Sequence, residues 1–259
     1  MGRLAGKVAF ITGAGKEQGR QHAVRLAEEG ADIIATDPQA EELHETARLV
    51  RAAGRRVVAL DADVRSMDDV ATAVDKGVAE LGRLDIVLAN AGITTTASVL
   101  ETSVPARHDI ADLDLTGAWR TVKASIPHLI DGERGGAIVI TYPLATPANE
   151  DAAHRGAARA GVITLVQTLA TELAQYGIRV NTVQPRATAG DVAFDDALHR
   201  LLRPELGARR SERTTRTLTR MPVATFDPDD ITNAVLYLVS DDGCYVTGTT
   251  HIVDVCGPS

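Results

Sequence analysis

Cysteine is almost absent from this chain of 259 residues, in which only Cys244 and Cys256 occur. Two cysteines cannot form the dense disulfide framework of small extracellular domains, and no cysteine or histidine spacing typical of a metal site is present. The N-terminal stretch Met-Gly-Arg-Leu-Ala-Gly has neither an apolar leader nor a myristoylation signal. We therefore predict a cytoplasmic protein without a bound metal.

Positive charge is also scarce, since 27 basic residues stand against 35 acidic ones and the formal net charge is −8. Nucleic acids and anionic membranes require a basic surface, so this balance argues against both as partners. The hydrophobic content of 44% is ordinary for a globular protein. We expect a single domain over residues 1–259 whose ligand is a small molecule.

The stretch that organises the chain is an apolar run at residues 8–11, followed by a glycine-rich turn and a helical pattern to residue 29. The turn spans residues 12–20 and reads TGAGKEQGR. Strand, turn and helix in this order aim backbone N–H groups at a phosphate, and glycine lets the ligand approach closely.

Buried strands and amphipathic helices alternate along the rest of the chain. Further strands are predicted at residues 32–36, 56–60, 85–89, 135–141, 178–183 and 251–253, and helices at 41–53, 67–81, 102–130, 151–176 and 228–239. This alternation predicts an α/β fold: a Rossmann-type, doubly wound parallel sheet of about seven strands between two helical layers. Residues 186–222 are polar and arginine-rich, and we expect them to form a small helical lid.

Several of these stretches resemble the short-chain dehydrogenase/reductases. The similarity is carried by the glycine-rich turn, by Asn90-Ala91-Gly92 after the fourth strand, and by GIRVNTV at residues 177–183. It runs from residue 4 to residue 257, and GRQHAVRLAEEGADIIA at 19–35 with YVTG at 245–248 is similar to the carveol-dehydrogenase-like, mycofactocin-associated branch. The resemblance implies a nicotinamide cofactor, alcohol or ketone substrates, and often a tetramer.

The resemblance also assigns the cofactor positions, which are Gly13, Glu17, Gly19, Asp37, Asp63 and Asn90. Asp37 ends the second strand, where a carboxylate accepts the ribose hydroxyls of NAD; a solvated turn residue is the alternative. Glu17 departs from the family, which has glycine there. At 4 Å and an effective dielectric constant near 20, its charge beside a pyrophosphate costs about 4 kcal/mol per like charge.

The catalytic machinery implied by the family is missing from the sequence. Family chemistry needs a tyrosine and, four residues later, a lysine, but the residues four after each tyrosine are Thr146, Val180, Asp241 and Thr249. Alignment on the flanking strands places the family's tyrosine, lysine, serine and asparagine at Gly156, Ala160, Pro143 and Asp114. We therefore expect that the usual dehydrogenase mechanism does not operate.

Arg186 follows Pro185 where the family has glycine. In one hypothesis, Arg186 forms an ion pair with Glu17 or Asp114, and its guanidinium fills the empty dinucleotide cleft. In the alternative, the Arg186 side chain lies in solvent. With Glu17, this predicts that no cofactor binds and that the cofactor positions are vestigial. NAD stays possible if Glu17 is accommodated.

Polar groups near the same sheet edge remain candidates for chemistry. The predicted acid or base groups are Asp114, Tyr142 and His154. Burial would raise the pKa of the Asp114 carboxyl into a range useful for proton transfer, and histidine titrates near neutral pH. Their alternatives are an aspartate bonded to the main chain, a packed tyrosine and a surface histidine. The predicted substrate contacts are Thr94, Thr95, Thr96, Arg159 and Arg186.

These expectations favour a non-redox enzyme on a dehydrogenase scaffold, acting as a cyclase, isomerase, dehydratase or lyase on a hydrophobic, oxygenated small molecule. The second possibility is a catalytically dead partner of an active relative, forming a heteromer. The third is an atypical NAD-dependent oxidoreductase. A homotetramer or homodimer is expected in the first case.

Overall fold

The structure of the protein, a computed structural model, describes residues 2–92, 100–142, 153–185 and 228–253, and only the backbone of residues 153–155. The described strands are β1 Val8–Thr12, β2 Asp32–Asp37, β3 Val57–Asp61, β4 Ile86–Ala89, β5 Gly136–Thr141, β6 Ile178–Pro185 and β7 Thr250–Val253. The described α-helices are α1 Glu17–Glu28, α2 Ala40–Ala52, α3 Met67–Leu81, α4 Val104–Ala111, α5 Gly117–Asp131, α6 Ala153–Leu173 and α7 Pro228–Val239.

The described strands form one parallel sheet in the order β3-β2-β1-β4-β5-β6-β7. The sequence order reverses between β1 and β4, and the carboxyl ends of all strands share one edge. In doubly wound sheets, ligands bind outside that edge, at the point of reversal. The predicted fold class is therefore confirmed.

Two apolar clusters cover the two faces of the sheet. One face packs against α3, α5 and α6, and its centre includes Phe10, Val87 and Ile138. The other face packs against α1, α2 and α7 around Ile11, Leu88 and Val139. Neighbouring residues of a strand fall in opposite clusters because strand side chains alternate between faces.

The helix predicted over residues 102–130 is interrupted in the structure. A five-residue π-helical turn, Asp112–Thr116, lies between α4 and α5. Such turns insert an extra residue into the helix and are frequent at functional sites. Asp114 lies within this turn and is buried. The lid predicted at 186–222 lies outside the described residues.

None of the helices that the structure describes is long and apolar enough to cross a membrane.

Candidate functional site

The glycine-rich turn after β1 packs tightly against the start of α1. Gly13 has a φ of 65°, a left-handed conformation that favours glycine, and a methyl group on it would lie 2.8 Å from the Cα atom of Ala91. A methyl group on Gly19 would overlap the carbonyl oxygen of Gly13. Lys16, the N-cap residue of α1, makes no side-chain cap hydrogen bond. The first-turn N–H groups of α1 therefore suit an anion such as a pyrophosphate.

Asp37 ends β2 and faces this turn. Its Oδ2 atom accepts a hydrogen bond of 3.0 Å from the backbone N–H of Gly15, and Oδ1 accepts one of 2.9 Å from Gln39 N–H. The carboxylate is thus fixed one strand away from the turn that suits a pyrophosphate. That is the position from which a carboxylate receives the ribose hydroxyls of NAD.

Glu17 is the first residue of α1 and adopts a φ of 43°. Its side chain is exposed to solvent. Water screens an exposed charge strongly, so a like charge at 4 Å costs about 1 kcal/mol and not the roughly 4 kcal/mol expected for a partly buried site. The structure therefore gives no reason for Glu17 to exclude a dinucleotide, and the turn, α1 and Asp37 fit NAD.

Asn90 connects the first, fourth and fifth strands at the same edge. Its amide Nδ2 donates to the carbonyl of Gly13 at 3.2 Å, and its Oδ1 accepts from Thr141 Oγ1 at 2.8 Å. Asp63 lies beyond β3, where the Arg65 guanidinium holds the pKa of the Asp63 carboxyl below its usual value. Asn90 therefore has a clear structural role, whereas the Asp63 carboxylate forms an ion pair with Arg65.

Tyr142 and Asp114 form a buried pair at the carboxyl edge of the sheet. The Tyr142 hydroxyl donates to Asp114 Oδ2 at 3.1 Å, and both residues are 3% exposed. Tyr142 follows β5, and Asp114 lies in the π-helical turn before α5. A phenol and a carboxyl joined in this way can pass a proton between them. The ring of Tyr142 also packs in the apolar core.

Arg159 lies on α6, close to the end of β6. Its Nε atom donates a hydrogen bond of 3.1 Å to Oε1 of Gln184, a fully buried residue. Gly156 and Ala160, one helical turn apart on α6, carry no acid or base group. The predicted contacts Thr94, Thr95, Thr96 and Arg186, the proposed Arg186 ion pair and the His154 side chain lie outside the described residues.

Comparison with known proteins decides the family. The family model described as enoyl-(acyl carrier protein) reductase matches residues 13–256. The (−)-trans-carveol dehydrogenase of Rhodococcus erythropolis is 38% identical over 272 residues, covering 98% of each chain. The chain belongs to the short-chain dehydrogenase/reductase family.

Solved structures of other short-chain dehydrogenase/reductases support this assignment. Carveol dehydrogenase from Mycobacterium avium in complex with NAD has a TM-score of 0.89 and 43% identity, with 98% of both chains covered. A short-chain dehydrogenase from Mycobacterium paratuberculosis bound to NAD has a TM-score of 0.85 and 37% identity, again with 98% of both chains covered.

Three expectations from the sequence are therefore corrected. The similar proteins are named as dehydrogenases and two were solved with NAD, which contradicts the expected non-redox cyclase, isomerase, dehydratase or lyase. The same findings contradict the expected absence of a cofactor and the view of the chain as a cofactor-independent pseudo-oxidoreductase. The physical reason lies in the cradle formed by the glycine-rich turn and Asp37, in which Gly13 and Asp37 keep the required geometry and Glu17 is exposed to solvent.

A buried polar cluster missed in the sequence joins α1 to α7. The Nδ1 atom of His22 lies 2.9 Å from Thr232 Oγ1, and Gln18 Nε2 donates to the same oxygen at 3.0 Å. His22 is fully buried, and burial lowers its pKa from the ordinary 6.5 to about 3. The signal was present in the sequence, because Gln18 and His22 are four residues apart and so share one helical face.

The lowered pKa of His22 predicts loss of stability in acid. Because unfolded His22 takes up a proton below pH 6.5 and folded His22 does so only near pH 3, stability falls as pH decreases through this window. Between neutral pH and about pH 4.5, His22 should lower the free energy of unfolding by roughly 2 to 3 kcal/mol. Urea unfolding at both pH values will measure it.

His22→Asn removes the titrating group and should flatten this pH dependence, although it lowers stability at neutral pH. His44 is exposed on α2, so His44→Gln should keep the wild-type dependence. An unchanged acid loss in His22→Asn would show that other groups cause it.

Proposed function

We propose that this protein is an NAD-dependent oxidoreductase that interconverts a secondary alcohol and a ketone. The observation that carries the proposal is the Asp37 carboxylate, held by Gly15 N–H beside the uncapped start of α1. A carboxylate there accepts the ribose hydroxyls of NAD and repels the 2′-phosphate of NADP. NAD, when bound, supplies the acceptor for the hydride that leaves the carbinol carbon.

We further propose that the catalytic tetrad of the family is replaced in this chain. No tyrosine is followed four residues later by lysine, and the corresponding positions on α6 are Gly156 and Ala160. Tyr142 and Asp114 then exchange the proton: the alcohol proton moves to Tyr142 Oη as the phenol proton moves to Asp114 Oδ2. In the reverse direction, Tyr142 donates to the ketone oxygen and Asp114 returns the proton. His154 stays a predicted second acid or base.

The substrate is proposed to be a hydrophobic molecule that carries the reacting oxygen. Thr94, Thr95, Thr96, Arg159 and Arg186 stay its predicted contacts. The carveol dehydrogenases that this chain resembles support an alcohol with a largely apolar body.

The protein is proposed to assemble from two or four identical copies. The groove between α5 and α6, about 720 Å³ in volume, is lined by apolar side chains such as Leu115 and Leu165. Trp119 borders it and is 41% exposed. A second copy would cover this apolar surface. The cytoplasmic location stays a prediction.

Calorimetric titration with NAD and NADH tests the proposed function, after mass spectrometry has shown that no nucleotide co-purifies. Binding with a micromolar or lower dissociation constant is expected, and Gly13→Ala should weaken it at least about tenfold, which corresponds to 1.4 kcal/mol. Gly54→Ala is the matched control, because Gly54 also has a left-handed φ but borders open space away from the turn. Absence of binding by the wild type would overturn the proposal.

A further inference from the structure

Gln184 is a buried amide whose hydrogen-bonding capacity is only partly used. Its Oε1 accepts from Arg159, whereas its Nε2 is buried without a hydrogen-bond partner among the described residues. Buried donors are nearly always paired in folded proteins, so this amide N–H₂ group indicates an acceptor still to be bound.

The strand register places Gln184 beside the proposed proton-exchanging pair. Thr141 of β5 pairs with Val183 of β6, and Tyr142 N–H donates to the Val183 carbonyl at 3.0 Å. The next register position therefore brings Tyr142 beside Gln184. Neighbouring residues at one register position point to the same face, and adjacent strands are about 4.8 Å apart. Tyr142 and Gln184 thus stand side by side.

Their partners lie on that face too. Tyr142 binds Asp114, and Gln184 binds Arg159 of α6, a helix that packs on the same side of the sheet as Tyr142. Arg159 is half-buried, so its charge is less screened than that of a surface arginine. Both pairs therefore lie on one face of the sheet, near its carboxyl edge.

Arg159 and the Gln184 amide nitrogen are both hydrogen-bond donors, and one of them carries a positive charge. A guanidinium beside an amide N–H₂ group matches a planar anion, in particular a carboxylate, which accepts two parallel hydrogen bonds. We infer that Arg159 and Gln184 bind a carboxylate of the substrate next to the carbon that reacts at Tyr142. The substrate class is then a hydroxy acid, oxidised to an oxo acid; this inference rests on the proposed function.

Calorimetric titration with mandelate and with methyl mandelate tests the inference. The two compounds share an aromatic body and a carbinol, and differ in the charge of the carboxyl group. Wild-type protein saturated with NADH, which cannot accept a hydride from either alcohol, should bind mandelate at least about tenfold more tightly than the ester, a difference of 1.4 kcal/mol. Equal affinities, or no binding of mandelate, would overturn the inference.

Variants test whether the preference for the acid over the ester depends on Arg159 and Gln184. Arg159→Gln and Gln184→Leu should each remove most of the preference for the acid over the ester, while Arg159→Lys should keep part of it. Arg48→Gln, at an exposed arginine of α2, is the control. An Arg159→Gln protein that still prefers mandelate over the ester as strongly as the wild type would contradict the inference. Circular dichroism will confirm that each variant folds. If NAD itself fails to bind, the proposed function fails, and the acid and ester are compared on the protein alone.

Discussion

Tyr142→Phe is expected to lower kcat/KM for NAD-dependent alcohol oxidation by about 10²- to 10⁴-fold, the usual contribution of a positioned acid or base. The substitution removes one oxygen atom and keeps the ring that packs in the core. Affinity for NAD should stay unchanged, because Tyr142 does not belong to the cradle, which consists of the glycine-rich turn and Asp37. Formation of NADH with carveol and with mandelate as substrates will measure the rate, and calorimetry the affinity.

Tyr176→Phe is the matched control, since Tyr176 is exposed at the end of the turn after α6 and should not affect the rate. Asp114→Asn keeps an acceptor for the Tyr142 hydroxyl but cannot take up its proton, so it should also slow oxidation. A Tyr142→Phe protein with near wild-type activity would refute the proposed proton path. Loss of NAD affinity in the same variant would point to a structural role for the hydroxyl.

Hydrophobic patterning predicted the sheet well because parallel strands are buried on both faces and form continuous apolar runs. The strand predicted at residues 32–36 is β2, which extends one residue further to Asp37, and the helix predicted at 67–81 is α3 with the same bounds. The π-helical turn had no such signal. Its residues have ordinary helical composition, and the extra residue depends on how α4 and α5 pack against their neighbours.

The site was predicted less well, for two reasons. Asp114 and Tyr142 were each recognised as candidates, but their hydrogen bond joins residues 28 apart and depends on the geometry of the π-helical turn. Nothing in the sequence singled out Gln184, because β6 carries several polar residues and their pattern does not show which of them lies beside Tyr142. Pairing of this kind is a property of the folded sheet.

The error about the cofactor has a different origin. Glu17 and Arg186 are the residues from which the sequence predicts that no cofactor binds, yet the glycine-rich turn and Asp37, which suit a dinucleotide, lie in the first two βα units. In the proposed function, separate parts of the chain bind the dinucleotide and exchange the proton, so one set of residues can change while the other is kept. Glu17 alone does not alter the cradle, because its charge faces water.

Asp37→Asn is expected to shift cofactor preference from NAD toward NADP by about 10²- to 10³-fold. Each like charge at 4 Å from a partly buried carboxylate costs about 4 kcal/mol, and the 2′-phosphate of NADP carries more than one. Asparagine keeps an acceptor for Gly15 N–H, so the turn should hold its shape. NAD should bind more weakly, because a neutral oxygen accepts the ribose hydroxyls less strongly than a carboxylate does.

Asp61→Asn is the control for the loss of one negative charge at the same edge of the sheet. Asp61 ends β3 at the register position beside Asp37, but its side chain is exposed and, among the described residues, forms no hydrogen bond or ion pair with the glycine-rich turn. Titration of both variants with NAD and NADP separates the two effects. If Asp61→Asn shifts the preference as much as Asp37→Asn does, general electrostatics determine cofactor choice. If only Asp37→Asn shifts it, the choice depends on the carboxylate fixed by Gly15, because only that group lies beside the turn where the dinucleotide is held.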